Sequence, residues 1–282
     1  MSLVRLEDVT FTYAYSEKPA LRDVSLELKK GLLYGVIGAN TSGKSTLCNL
    51  IRGLIPTFHP GMLDGKVEIM GRNLADWNPA DLSRSVGFVF ENPFTQISGI
   101  KDTVFEEIAF GLENLGVPRA EIFPRVLDVI DRLDLRPLIG KNPNELSGGQ
   151  RQKVAFASIV AMDTEFVVID EPTSQLDPDA TEAVFEIIAD LKRRGKSILL
   201  VEHKVDLLAQ YADRIVVLGD GQVLGEGSPQ EILISDVMDL ADVSRPEVTD
   251  LGLALAGTAK ALPVLPIVRQ QAFEVISARL QG

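Results

Sequence analysis

The sequence predicts an α/β protein, with a mostly parallel sheet, an antiparallel β segment before it and a helical segment inserted into it. Three observations predict this. Over residues 166–233, short apolar runs alternate with stretches of helical period, the pattern of βα units. Runs such as 197–201 and 214–218 are continuously apolar, as strands covered on both faces are. Residues 92–162 read differently: 102–115 and 119–133 are amphipathic with helical period, and Pro118, Pro137 and Pro143 punctuate the connections.

In chain order, residues 3–28 alternate apolar and polar, as in Val24-Ser25-Leu26-Glu27-Leu28, which predicts half-buried strands. A strand over 32–37 leads into a glycine-rich loop, and a helix should start near Lys44. Residues 66–70 and 86–90 are further strand candidates. A helix should run from Gln150 to Ala161, and a strand over 166–170. Asp177-Pro178 reads as an N-cap with proline at the first helical position, opening a helix that ends near Gly195. Beyond Ser235 two short helices are expected, over 248–256 and 268–280, separated by a break at Pro263 to Pro266. The expected division is a main domain over 1–235 and an extension over 236–282.

The chain has 282 residues and a formal net charge of −12. So acidic a balance argues against nucleic acid as the main partner, because a phosphate-binding face needs clustered Lys and Arg. The single cysteine, Cys48, precludes an internal disulfide and suggests a reducing compartment; it reads as a packing residue on the helix after the loop. No signal peptide is expected at Met1-Ser2-Leu3, and no apolar stretch is long enough to cross a bilayer. A membrane path, if one is served, must come from another chain.

Three motifs carry chemistry. Gly38-Ala39-Asn40-Thr41-Ser42-Gly43-Lys44-Ser45-Thr46 is a phosphate-binding loop, in which backbone N–H groups converge on phosphate oxygens at a helix start. Lys44 is expected to neutralise the β and γ phosphates, and the Ser45 hydroxyl to ligate Mg²⁺. The strand over 166–170 ends in Asp170, expected in the Mg²⁺ shell, and Glu171, expected to orient or deprotonate the attacking water. Leu146-Ser147-Gly148-Gly149-Gln150 offers a helix N-terminus to an anion; the plain alternative is a helix cap at Asn144 or Ser147 followed by a glycine pair.

In this order the three motifs resemble the nucleotide-binding subunit of an ATP-binding cassette (ABC) transporter, over about residues 3–235. The resemblance implies ATP and Mg²⁺ as cofactors. It implies that Ser147, Gly148, Gly149 and Gln150 bind the γ-phosphate of ATP held by a second ATPase subunit, the same chain or a related one. Asp177, in Ser174-Gln175-Leu176-Asp177, matches the D-loop at the dimer interface; His203 matches the switch histidine that contacts the γ-phosphate; Tyr13 matches the aromatic stacked on adenine, with Tyr15 a rival. Two positions depart from the family pattern: Thr41 replaces a glycine, and Glu91 stands where the Q-loop glutamine would reach the metal.

Residues 89–96 and 103–118 look like the energy-coupling factor subfamily, whose ATPases drive uptake of vitamins, cobalt or nickel. That implies a transmembrane coupling protein, a substrate-binding membrane protein, and a peripheral place on the cytoplasmic face of the cell membrane. It also implies a dimer contact in the C-terminal extension, and a partner arginine meeting a carboxylate among Asp102, Glu106 and Glu107. An ordinary importer ATPase, a non-transport cassette and an ATP-binding switch with little turnover remain alternatives.

Overall fold

A computed structural model describes residues 1–280; Gln281 and Gly282, the end of the expected extension, lie outside the described residues. Strand β1 (Ser2–Tyr13) pairs antiparallel with β2 (Leu21–Lys29), Leu6 opposite Leu26 and Val4 opposite Leu28, so the alternating apolar side chains share one face. Strand β3 (Leu33–Ile37), buried throughout, feeds the phosphate loop and helix α1 (Lys44–Ile51). Strand β4 (Gly61–Ile69) starts earlier than its composition predicts, because β1 supplies a partner for the turn-like residues 61–65, with Phe11 opposite Leu63 and Tyr13 opposite Gly61. With β5 (Arg72–Asn73) these form a sheet in the order β2-β1-β4-β5.

Asn78 caps α2 (Pro79–Ser85), which the sequence reading left without an element. Strand β6 (Val86–Val89) and a one-turn helix α3 (Pro93–Gln96) lead into the helical insertion of α4 (Val104–Asn114), α5 (Arg119–Arg132) and α6 (Gly148–Met162). The chain then lays down β7 (Phe166–Asp170), α7 (Pro178–Arg193), β8 (Ser197–Val201), α8 (Val205–Tyr211), β9 (Arg214–Gly219) and β10 (Gln222–Gly227). The second sheet has the order β10-β9-β3-β8-β7-β6, parallel except for β10.

Both faces of that sheet are covered. Leu33, Ile37, Val167, Ile169, Leu200 and Val217 meet the helical side, while Tyr34, Val36, Val168, Leu199 and Val216 meet α1 and the antiparallel sheet. This explains the uninterrupted apolar runs. Cys48 is fully buried and burial raises its thiol pKa well above the ordinary range, as a packing residue requires. Among the described residues, no helix is long and apolar enough to cross a membrane.

Four helices follow: α9 (Pro229–Leu233), α10 (Val237–Leu240), α11 (Glu247–Leu255) and α12 (Arg269–Leu280). The tail is not a free arm. Met238, Ala241 and Ile267 belong to the same core as β3 and β9, and the buried Thr249 hydroxyl donates to Pro266 O at 2.8 Å. Truncation after Ser235 removes Met238 and Ile267 from that core and uncovers the side chains packed against them, at an expected cost of about 3–5 kcal/mol. The urea midpoint would report it; an unchanged midpoint would mean that the core does not rely on the extension.

Candidate nucleotide site

The sheet order places the chemistry. In β3, β8 and β7, adjacent and parallel, the C-terminal ends carry the phosphate loop, His203, and the pair Asp170 and Glu171. Glu91 follows the next strand, β6. Ligands of open α/β sheets collect at this edge. A cleft of about 550 Å³ there is lined by Ala20, Asn40, Thr41, Gly43, Lys44, Ser45, Thr46, Glu91 and Glu171.

The loop is shaped by two glycines that no larger residue could replace. A Cβ on Gly38 would collide with Leu218 O and lie 2.6 Å from Ser42 Oγ; one on Gly43, at φ +102°, would lie 2.7 Å from Ala20 O. Lys44 is buried, and its Nζ donates to Gly38 O and Ala39 O at 3.0 Å each while lying 4.0 Å from Glu171 Oε1. Its charge thus sits over the loop where phosphate oxygens would arrive. Thr41 adopts φ +67°, the left-handed conformation that glycine accepts freely and a β-branched residue accepts at a cost of about 1–2 kcal/mol. The departure from glycine therefore leaves the turn intact and strained.

Glu171 is also left-handed, at φ +45°, with its N–H donating to Val201 O. Its Oε1 lies 2.8 Å from His203 Nε2, which joins the two candidates for the reacting end of the site. Asp170 is partly buried. Burial, then the Glu171 and Glu91 charges, raise its carboxyl from 3.8 to about 6, with the Ser45 hydroxyl and Lys44 pulling the other way. Its Oδ1 is buried without a hydrogen-bond partner among the described residues. A buried, unsatisfied carboxylate oxygen beside Ser45 fits a divalent cation. Among the described residues there is no group of three or more His, Cys, Asp or Glu that could hold one unaided.

Tyr13 reaches the loop through its hydroxyl, 3.1 Å from Thr46 Oγ1, whereas Tyr15 is fully exposed and apart. The Arg52 guanidinium stacks on Phe88 at 3.6 Å and Phe90 at 4.8 Å, bracing the end of β6 just before Glu91.

Ser147 and Gln150 form a capping box on α6, so the cap and anion readings describe the same residues. Arg151 ties this turn down, donating to Asn144 O and Leu146 O and stacking on Phe94 at 4.0 Å. Asp177 caps α7 by accepting from Ala180 N at 2.8 Å. Ser147, Gly148, Gly149, Gln150 and Asp177 line a second cleft of about 560 Å³. Among the described residues, it shares no lining residue with the phosphate-loop cleft.

Of the three acids expected to face a partner, Glu107 is buried and accepts from Ser98 N and Ser98 Oγ at 2.7 Å, so it is not on the exposed face. Glu106 gives one oxygen to a capping box with Thr103 yet stays exposed, as does Asp102.

A P-loop at the sheet edge, a paired acid and histidine beside it and a second anion-facing helix start define the ATPase of the ATP-binding cassette class. The ABC transporter family profile matches residues 21–174. An ABC transporter ATP-binding protein of Pyrococcus abyssi is 43% identical over 233 residues, 82% of each chain. An energy-coupling factor transporter ATP-binding protein of Lacticaseibacillus paracasei is 39% identical, over 82% of this chain and 81% of that one. Among solved structures, cbiO1 of Clostridium perfringens, part of the ABC transporter complex cbiONQ, superposes with a TM-score of 0.74 at 26% identity, over 84% of this chain and 92% of that one. A dimeric cassette with ADP and phosphate, in a post-hydrolysis state, gives 0.69 at 29% identity, over 80% and 98%. This chain belongs to the ABC transporter ATP-binding family, and it is an ATPase coupled to transport.

Proposed function

We propose that this chain binds Mg-ATP between two cassettes, hydrolyses it, and energises uptake of a micronutrient, a vitamin or a transition-metal ion, through a transmembrane coupling protein and a separate substrate-binding membrane protein. One observation carries the paired arrangement: the phosphate loop and the Ser147–Gln150 turn line separate clefts, so each ATP needs the turn of a second subunit. The subfamily reading draws on relatives that bear the energy-coupling factor name. The subunit would sit at the cytoplasmic face of the membrane, held there by its partner, with no role for nucleic acid. Exposed Leu251, Val264 and Phe273 on the tail suit a contact between the paired ATPases that does not depend on nucleotide.

In this reading Tyr13 stacks on adenine, the N–H groups of residues 38–46 and Lys44 hold the phosphates, and Ser45, Asp170 and Glu91 would hold Mg²⁺. The ion would supply positive charge that offsets the negative charge of the phosphates. Glu171 takes a proton from the attacking water, His203 holds Glu171 and the γ-phosphate in line, and Asp177 meets the other subunit. As water adds to the γ-phosphorus, its bond to the bridging oxygen breaks and ADP leaves with the electron pair.

Deleting the gene in its host and following labelled cobalt, nickel and vitamins tests the substrate class. Uptake of one of them is expected to be lost and to return with the wild-type chain but not with the Glu171→Gln variant. Loss of uptake confined to a solute delivered by a soluble binding protein would overturn the reading.

A further inference from the structure

Glu202 precedes the histidine in the sequence and is almost fully buried, 3% exposed. An interior carboxylate is costly unless its oxygens are satisfied. Here they are satisfied in one particular way. Oε1 accepts from the backbone N–H of His203 at 2.9 Å and of Lys204 at 3.1 Å, and Oε2 accepts from Thr173 Oγ1 at 2.8 Å. Thr173, 1% exposed, lies two residues beyond Glu171. Lys204 reaches back across the same gap, its Nζ donating to Thr173 O at 3.4 Å and to Thr181 Oγ1 at 2.9 Å. Thr181 is in the first turn of α7, whose start lines the second cleft.

The residues on either side of His203 are thus fastened to the segment that begins at Glu171 and ends in α7. Packing alone does not fix the histidine, whose side chain is 46% exposed. None of these groups lines the phosphate-loop cleft. What the network sets is the placement of the His203 backbone, and hence the 2.8 Å contact between its ring and Glu171.

We propose that Glu202 is a positioning residue: with Thr173 and Lys204 it holds His203 against Glu171, and through Thr181 it ties that pair to the helix start lining the signature cleft. The proposal rests on the roles given above to Glu171 and His203. It assigns a task to a buried acid that lies outside the lining of the phosphate-loop cleft.

The test is steady-state ATPase kinetics on the purified full chain. Thr173→Val removes the hydroxyl and keeps the shape. It is expected to lower kcat about ten-fold, since small displacements of reacting groups are expensive, while KM for ATP stays within about two-fold. Thr173→Ser should restore kcat. Lys204→Met, which breaks the other strap from a half-exposed position, should lower kcat in the same direction. In a His203→Ala background, Thr173→Val should have little further effect, because the group it positions is gone. An unchanged kcat in both Thr173→Val and Lys204→Met overturns the proposal. So does a loss of equal size in the His203→Ala background, or a rise in KM in place of the kcat loss. Controls separate the two layers. If Glu171→Gln or His203→Ala keeps full turnover, the underlying assignment fails and this one with it; if they lose turnover and Thr173→Val does not, only the positioning role fails.

Discussion

Glu171→Gln is expected to lower ATPase turnover about 10²–10⁴-fold while leaving nucleotide affinity nearly unchanged, the range that removal of a general base gives. The substituted amide can still meet His203 Nε2, now 2.8 Å from the carboxylate, so the site keeps its shape. Lys44 and the loop amides, which hold phosphate, are untouched. With hydrolysis blocked and binding intact, ATP should trap the two-subunit form. Light scattering with Mg-ATP would show a dimer that persists for the variant and decays for the wild type. A monomer at saturating ATP would reject the composite site; full turnover would remove Glu171 from the chemistry.

Asp170→Asn is expected to act in opposite directions on activity and on stability. Losing the carboxylate charge that fits Mg²⁺ should lower turnover by about 10² or more, the several kcal/mol that a metal contributes. Yet the nucleotide-free protein should become more stable by about 1–2 kcal/mol. The carboxyl is raised to about 6 from 3.8 by burial and by two neighbouring acids, so its ionised form weakens the fold. That weakening is fully present above about pH 6 and is lost as the pH falls through 6 to below 3.8, where the acid is protonated in folded and unfolded chains alike. The variant's gain in melting temperature should follow the same window. A gain that did not vary with pH would mean that charge is not its source.

Much of this site was legible because its parts are contiguous in sequence and each sits at a strand or helix end. An apolar run followed by Gly38 to Thr46, and another followed by Asp170-Glu171, announce both the strand and what hangs from it. Helix boundaries came close where caps mark them, as at Asp177-Pro178 and Ser147. What stayed hidden depends on pairing across distance. The first half of β4 is a strand only because β1 lies beside it. Glu107 reads as part of an exposed acidic face until Ser98 is seen to occupy both of its oxygens. Glu202 was passed over beside His203, since nothing in Val201-Glu202-His203-Lys204 says that Thr173 will lie 2.8 Å from its carboxylate. The tail, apolar and terminal, was ambiguous between surface and core until Met238 and Ile267 were found inside.

The position of β3 in its sheet has a consequence for how the protein is made. Leu33 pairs with Ile198 and Tyr34 with Arg214, so the strand that presents the phosphate loop has no sheet neighbour among the residues translated soon after it. At ribosomal speeds of about 5–20 residues per second, it waits on the order of ten seconds or more before either partner emerges. During that interval an uninterrupted apolar segment is exposed on a nascent chain, and the long separation also makes the closing step slow. Production in a foreign host should accordingly respond to slower translation, lower temperature or added chaperone capacity more than to changes at the nucleotide site.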